Sequence, residues 1–212
     1  MTEQIGTTRN PFASKWAADY DRRLRGPLVG RIRSSECNTL LRLMDQTVYP
    51  DDRVLEIGPG TGYYTVHLAR RAAHVTAVEQ SPQMVQLLQW RLAQEGLDNC
   101  CVMNFDFMRM PREEPFDVVA LMGVLDYVDD PAAFLDCAAA LTRRALLFTT
   151  PRRGFLASLH WAGNALRGVR VHTYVPEQLR SYLPGFILEV RETGHCSRLW
   201  RGMTLACRAV RG

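Results

Sequence analysis

The sequence predicts an α/β domain built on a mostly parallel sheet with helices on both faces, and three observations carry that prediction. From residue 53 onward strand-like segments alternate with helical ones. The first of them, Val54-Leu55-Glu56-Ile57, runs straight into a glycine loop. After Pro151 the alternation gives way to a pattern that fits a closing antiparallel hairpin. Alternation with short connections is what a sheet covered on both faces requires. At 212 residues, one such core with a short appendage accounts for the length better than two cores.

The elements follow in order. Asn10-Pro11 reads as a cap followed by proline at the first helical position, and Phe12, Trp16 and Tyr20 then recur on one face of a short helix. Gly26-Pro27 interrupts it, and Leu28, Ile32, Leu40, Leu41 and Leu43 mark a second helix ending before Tyr49-Pro50. Residues 1–48 are thus expected as helices covering a site on a core that spans 49–212. Strand Val54–Ile57 leads to a helix over 61–71, then to strand His74–Val78 and a helix that Ser81-Pro82 opens and that runs to about Gly96. Further strands are expected at 100–104, 116–121 and 145–150, with Pro131 opening a helix before the last of these. Beyond Pro151 helices are expected at 155–166 and 176–183, and strands at 186–191 and 199–208.

Composition narrows the function classes. Hydrophobic residues make up 47% and charged residues 23% of the chain, an ordinary globular balance. No apolar run approaches the roughly 18 residues of a bilayer span, and the N-terminus lacks a secretory layout, so a cytoplasmic address is expected. The only close pair among six cysteines, Cys100-Cys101, matches neither a zinc ribbon nor a redox motif, and no metal is expected. The net charge is +4, and from Arg143 onward there are twelve Arg, three Glu and no Asp. That imbalance suits an anionic substrate or an anionic membrane surface as well as it suits simple codon drift.

Chemistry concentrates at Glu56-Ile57-Gly58-Pro59-Gly60-Thr61-Gly62. In an open α/β sheet ligands bind beyond the carboxyl ends of the strands, where a first strand delivers this loop. Glycine there permits positive φ or close approach of a ligand to the backbone. A dinucleotide loop reads Gly-x-Gly-x-x-Gly and offers a helix N-terminus to pyrophosphate. This one reads Gly-x-Gly-x-Gly and is preceded by an acid, and Glu56 would repel a phosphate but suits a cation such as the ammonium of adenosylmethionine. At the end of the next strand Glu79, with Gln80 beside it, stands where an acid accepts two ribose hydroxyls. After the third strand Asp106 can accept from an adenine amine while Phe107 flanks the ring.

These three motifs in order resemble the cofactor motifs of class I methyltransferases across roughly residues 50–150. The resemblance implies a Rossmann-like seven-stranded sheet, parallel except for one strand of the C-terminal hairpin, with S-adenosyl-L-methionine lying across its carboxyl edge. It also implies that Met122-Gly123-Val124 passes beside the methionine portion and that Tyr20 closes over the cofactor. The segment from Thr149 to Arg153, with the later Tyr-x-Pro-Glu-Gln-Leu stretch, is loosely similar to magnesium-protoporphyrin and quinone-biosynthesis methyltransferases.

Acceptor groups are expected above the same edge. Asp126 and Tyr127 follow the fourth strand, Arg152 and Arg153 the fifth, and His172 and Tyr174 come further on. His172 is the best general base by its ordinary titration range. The arginine pair suits a carboxylate or phosphate, and with Tyr174 it makes the expected substrate set. The expected activity is O- or N-methylation of a small or lipid-like acceptor, without nucleic acid, by a monomer or homodimer, with an anionic character of the acceptor and a membrane-surface contact left open. A nicotinamide-dependent reductase and a non-catalytic adenosylmethionine-binding partner are the alternatives.

Overall fold

The computed structural model describes residues 37–112, 114–151, 172–193 and 204–212. The expected first helix with Tyr20, the pair Arg152 and Arg153, and the apolar helix at 155–166 lie outside the described residues. Helix α1 covers residues 37–45 and ends before Tyr49-Pro50, as expected. It is followed by β1 (Arg53–Ile57), α2 (Tyr63–Ala69), β2 (His74–Glu79), α3 (Pro82–Gln94), β3 (Cys100–Asn104) and β4 (Phe116–Leu121). Then come α4 (Pro131–Ala140), β5 (Thr142–Pro151), α5 (Pro176–Tyr182), β6 (Phe186–Glu192) and β7 (Thr204–Arg211). Two 3-10 turns, Phe107–Arg109 and Leu125–Tyr127, follow β3 and β4.

The seven strands form one sheet in the order β3-β2-β1-β4-β5-β7-β6. The pairs β1–β2, β2–β3, β1–β4 and β4–β5 are parallel, and β7 runs antiparallel to both of its neighbours. The expected fold, with one reversed strand, is the fold observed. Strand succession reverses between β1 and β4, and this opens the crevice beyond their carboxyl ends.

Alternation along the strands supplies both faces with core. Val54, Val118, Ala120 and Leu147 join Leu40, Leu43, Met44 and Leu68 of α1 and α2 on one face. On the other, Leu55, Ile57, Val119 and Leu146 join Phe134 and Leu135 of α4 and Leu179 of α5. Each fully buried leucine of this kind contributes roughly 1.5–3 kcal/mol. Local signals set the helix starts: the Ser81 and Asp130 side chains accept from the backbone N–H groups of Met84 and Ala133, with Pro82 and Pro131 at the first turn.

Several boundaries differ from the expectation. Helix α2 begins at Tyr63 rather than at 61, because Gly62 has φ +80° and cannot continue a helix backward. Strand β5 is longer than 145–150 because Thr142 pairs with Phe116 of β4 at one end and Pro151 with Thr204 of β7 at the other. Pairing with Phe186 of β6 carries β7 to Arg211 instead of 208.

Candidate active site

The glycine loop takes its shape from three positive-φ glycines, each for a different reason. A Cβ on Gly58 would lie 2.6 Å from Val124 Cγ2, and one on Gly62 would lie 2.4 Å from Leu88 Cδ1. A Cβ on Gly60 would meet nothing within 4 Å. The outer two are therefore held by packing, whereas Gly60 faces open space at the middle of the loop. Backbone bonds from Gly58 N to the Val78 carbonyl (2.9 Å) and from Gly62 N to the Pro59 carbonyl (3.0 Å) tie the loop to β2 and to itself.

Two acids meet beneath it on the face that carries α1, α2 and α3. Glu56, the fourth residue of β1, is buried, and its Oε2 has no hydrogen-bond partner among the described residues. Burial pushes its carboxyl up to about 7; Thr65, whose hydroxyl lies alongside without completing a formal hydrogen bond, pulls the other way, and nearby Glu79 adds to the rise. Glu79 ends β2, and its two oxygens accept from Gly60 N (3.1 Å) and Ser81 N (2.8 Å). Burial raises its carboxyl too, opposed by the backbone N–H groups of Ser81, Gly60 and Gln80. Gln80 itself is exposed at the strand end. An unsatisfied carboxylate oxygen buried beside an open loop is unfavourable for the protein alone. A cationic ligand answers it.

At the end of β3 the arrangement departs from the sequence reading. Asp106 caps the 3-10 turn by accepting from Met108 N (3.0 Å), and Arg109 Nε lies 3.7 Å from its other oxygen. That turn rotates Phe107 inward. Its ring packs against Phe134 with centroids 5.0 Å apart, so it belongs to the core rather than to an adenine face. The exposed apolar side chains there are Phe105 and Met108.

After β4, Met122 packs toward α1, Gly123 has φ +70°, and Val124 closes on Gly58. His172 is brought to the same place, its N–H donating to the Asp126 carbonyl at 3.0 Å. Its Nε2 is buried, 3.9 Å from an oxygen of exposed Asp129, too far for a hydrogen bond. Tyr127 completes the turn through its N–H to the Val124 carbonyl. Tyr174 does not face a substrate. It is 3% exposed, its hydroxyl donates to the Leu125 carbonyl at 3.1 Å, and burial together with Asp126 raises its phenol above the ordinary range. Its role is to fasten the 172–174 segment to the β4 turn.

Sequence reasoning missed Ser81 as a donor to Glu79, because the residue was already accounted for as a cap. It also missed Asn104, whose side chain donates to the Glu79 carbonyl (2.8 Å), and Thr149, whose Oγ1 accepts from Gly123 N (2.7 Å). Neither carries a local signal, since each acts across strands that only the sheet brings together. Among the described residues no His, Cys, Asp and Glu group is arranged to hold a metal ion, and no helix is long and apolar enough to cross a membrane.

Known proteins are similar to this chain in sequence and in fold. A methyltransferase domain family matches residues 54–144. A magnesium-protoporphyrin O-methyltransferase of Rhodobacter capsulatus is 33% identical over 161 residues, which are 71% of this chain and 71% of that protein. A ubiquinone biosynthesis O-methyltransferase of Xylella fastidiosa is 33% identical over 92 residues, 43% of this chain, and the match spans only 37% of that relative's length. In fold, the chain is similar to the crystal structure of magnesium protoporphyrin IX methyltransferase from Synechocystis with bound S-adenosylmethionine, with a TM-score of 0.76 at 20% identity over 100% of both chains.

Proposed function

This chain belongs to the class I S-adenosylmethionine-dependent methyltransferases, and on that premise we propose that it methylates oxygen or nitrogen of a small, largely apolar acceptor bearing an anionic group. The observation that carries the reading is the buried, unpartnered Glu56 Oε2 at the end of β1, below a loop whose central glycine faces open space. These residues fit the cofactor. Glu56 would take the ammonium of its methionine part, directly or through water, and Glu79 would add the ribose hydroxyls to the backbone donors it already holds. Asp106 would accept from the adenine amine. The backbone of Gly58, Pro59, Gly60, Thr61 and Gly62 on one side and of Met122, Gly123 and Val124 on the other would enclose the methionine half, with Tyr20 closing over it.

The bound cofactor supplies a methyl group on a sulfonium, whose departure leaves a neutral thioether. The protein's task is therefore positioning and exclusion of water. His172, whose backbone N–H is held by the Asp126 carbonyl, would receive a proton from an acceptor hydroxyl or amine, with Asp126 and Tyr127 flanking the same edge. Arg152 and Arg153, which follow β5 directly in sequence, would hold the acceptor's anionic group. Relatives named for protoporphyrin and ubiquinone biosynthesis support an acceptor of that kind.

Calorimetry with S-adenosylhomocysteine tests the reading. Binding in the micromolar range, abolished or strongly weakened in Glu56→Gln, is the expected result. No heat with this ligand, together with binding of a nicotinamide dinucleotide, would overturn it in favour of a reductase.

A further inference from the structure

We propose that Thr149 is a positioning residue for methyl transfer: its side chain holds the loop after β4 against the glycine loop and thereby shapes the pocket for the amino-acid half of the cofactor. The proposal rests on the functional reading above. Its starting point is the end of a ladder. Strands β4 and β5 pair as far as Leu121↔Phe148, and beyond that point the β4 chain turns away at Gly123, with φ +70°. A turning strand leaves its next backbone N–H without a ladder partner, and at this half-buried edge a fixed acceptor decides where the loop settles. Thr149 supplies that partner through its side chain, its Oγ1 accepting from Gly123 N at 2.7 Å.

The hydroxyl is well fixed. Thr149 is buried in the interior of β5, which continues to pair with β7 at Thr149↔Ala206, and a β-branched side chain in a strand has few rotamers. It also stands on the relevant face. Register places Glu56 beside Ala120 and Ala120 beside Leu147, so the alternation puts Thr149, two residues after Leu147, on the face that carries Glu56. What it holds matters to the site, because the residue after Gly123 is Val124, whose Cγ2 lies so near Gly58 that a Cβ there would come within 2.6 Å. The two loops interlock at that contact. One is fastened by the bond from Gly58 N to the Val78 carbonyl and the other by the Thr149 hydroxyl.

The test compares Thr149→Val, Thr149→Ala and Thr149→Ser by calorimetry with two ligands, S-adenosylhomocysteine and 5′-methylthioadenosine, the second lacking the amino-acid tail. The valine and alanine variants should bind S-adenosylhomocysteine roughly three- to tenfold more weakly, the scale of one intramolecular hydrogen bond lost. The serine variant should stay within about twofold of the parent, since it keeps the acceptor. All three should bind 5′-methylthioadenosine as the parent does, a selectivity that a general loss of packing would not produce. Equal S-adenosylhomocysteine binding by parent and both hydroxyl-free variants overturns the proposal, as does equal weakening of both ligands. A parent that binds neither ligand overturns the cofactor reading and this proposal with it.

Discussion

The two halves of the crevice are built by different means. On the β1–β2 side, the glycine loop, Glu56, Glu79 and Ser81 lie within 26 consecutive residues, and backbone N–H groups already occupy Glu79. On the β4–β5 side, the contacts span long stretches of chain: His172 reaches the Asp126 carbonyl, Tyr174 that of Leu125, and Thr149 the Gly123 N–H. The first half is a local motif whose residue types are dictated by backbone conformation and charge. The second is assembled by tertiary structure, each contact joining residues far apart in the chain. The comparison teaches that one half is specified by a short run of residues and the other only once the sheet has formed.

Five substitutions break or sharpen that contrast, from the largest effect to the smallest. Gly62→Ala should be the most damaging, since the new Cβ combines a left-handed backbone with a 2.4 Å clash against buried Leu88. Strain and overpacking together cost roughly 2–5 kcal/mol, which a thermal melt will show as a large drop. Gly60→Ala has no such neighbour; it should melt closer to the parent yet bind S-adenosylhomocysteine poorly. Equal melting of the two variants would remove the distinction between packed and open glycines.

Glu56→Gln comes next and works through pH. Because the folded-state carboxyl titrates at about 7 against an ordinary 4.5, the ligand-free native state holds a proton that the unfolded chain gives up. Stability is then greatest below the unfolded value and declines as pH climbs from there through the folded one, by roughly 3 kcal/mol in all. The glutamine variant should lose most of that decline, so that above neutral pH it melts higher than the parent while binding S-adenosylhomocysteine less well. In the parent, binding should strengthen as pH rises toward about 7.5 and release close to one proton at about pH 6, because an ammonium favours the ionised acid. Titrations in buffers of different ionisation enthalpy measure that proton.

Glu79→Ala should weaken S-adenosylhomocysteine by at least about tenfold, through lost ribose contacts and two backbone donors left without their acceptor. Unchanged affinity in a titration would mean that its only task is to brace Gly60 and Ser81. Tyr174→Phe should have the smallest effect, about 1 kcal/mol in denaturant unfolding with cofactor affinity unchanged. A larger fall in cofactor affinity than in stability would join the two halves into one unit.

The same contrast explains what could be read in advance. The parallel character of the sheet, the helix starts at Ser81-Pro82 and Pro131 and the acids at strand ends were legible because each is encoded within a few residues. Phe107 was misjudged because a short turn capped by Asp106 rotates it by a fraction of a circle, enough to exchange a ligand face for Phe134. Tyr174 was misjudged because a buried phenol that bonds a distant carbonyl looks, in sequence, like any tyrosine beyond a strand end. Thr149 could not be found, since what it satisfies is an N–H left over where a ladder stops.

The reversed strand has a consequence for the order in which the molecule assembles. Strand β7 lies inside the sheet, between β5 and β6, although it is the last strand in sequence. Its pairing with β5 joins residues more than fifty positions apart, as at Pro151↔Thr204, and the entropy of closing such a loop must be overcome before the ladder rewards it. The β1–β4 pairing closes a loop at least as long, as at Val54↔Val118, so neither half of the sheet has the shorter closure. What sets β6 apart is that, among the described residues, it is bonded to the sheet through β7 alone, so it can join only after β7 has. In backbone amide exchange β6 is therefore the strand that reports on β7.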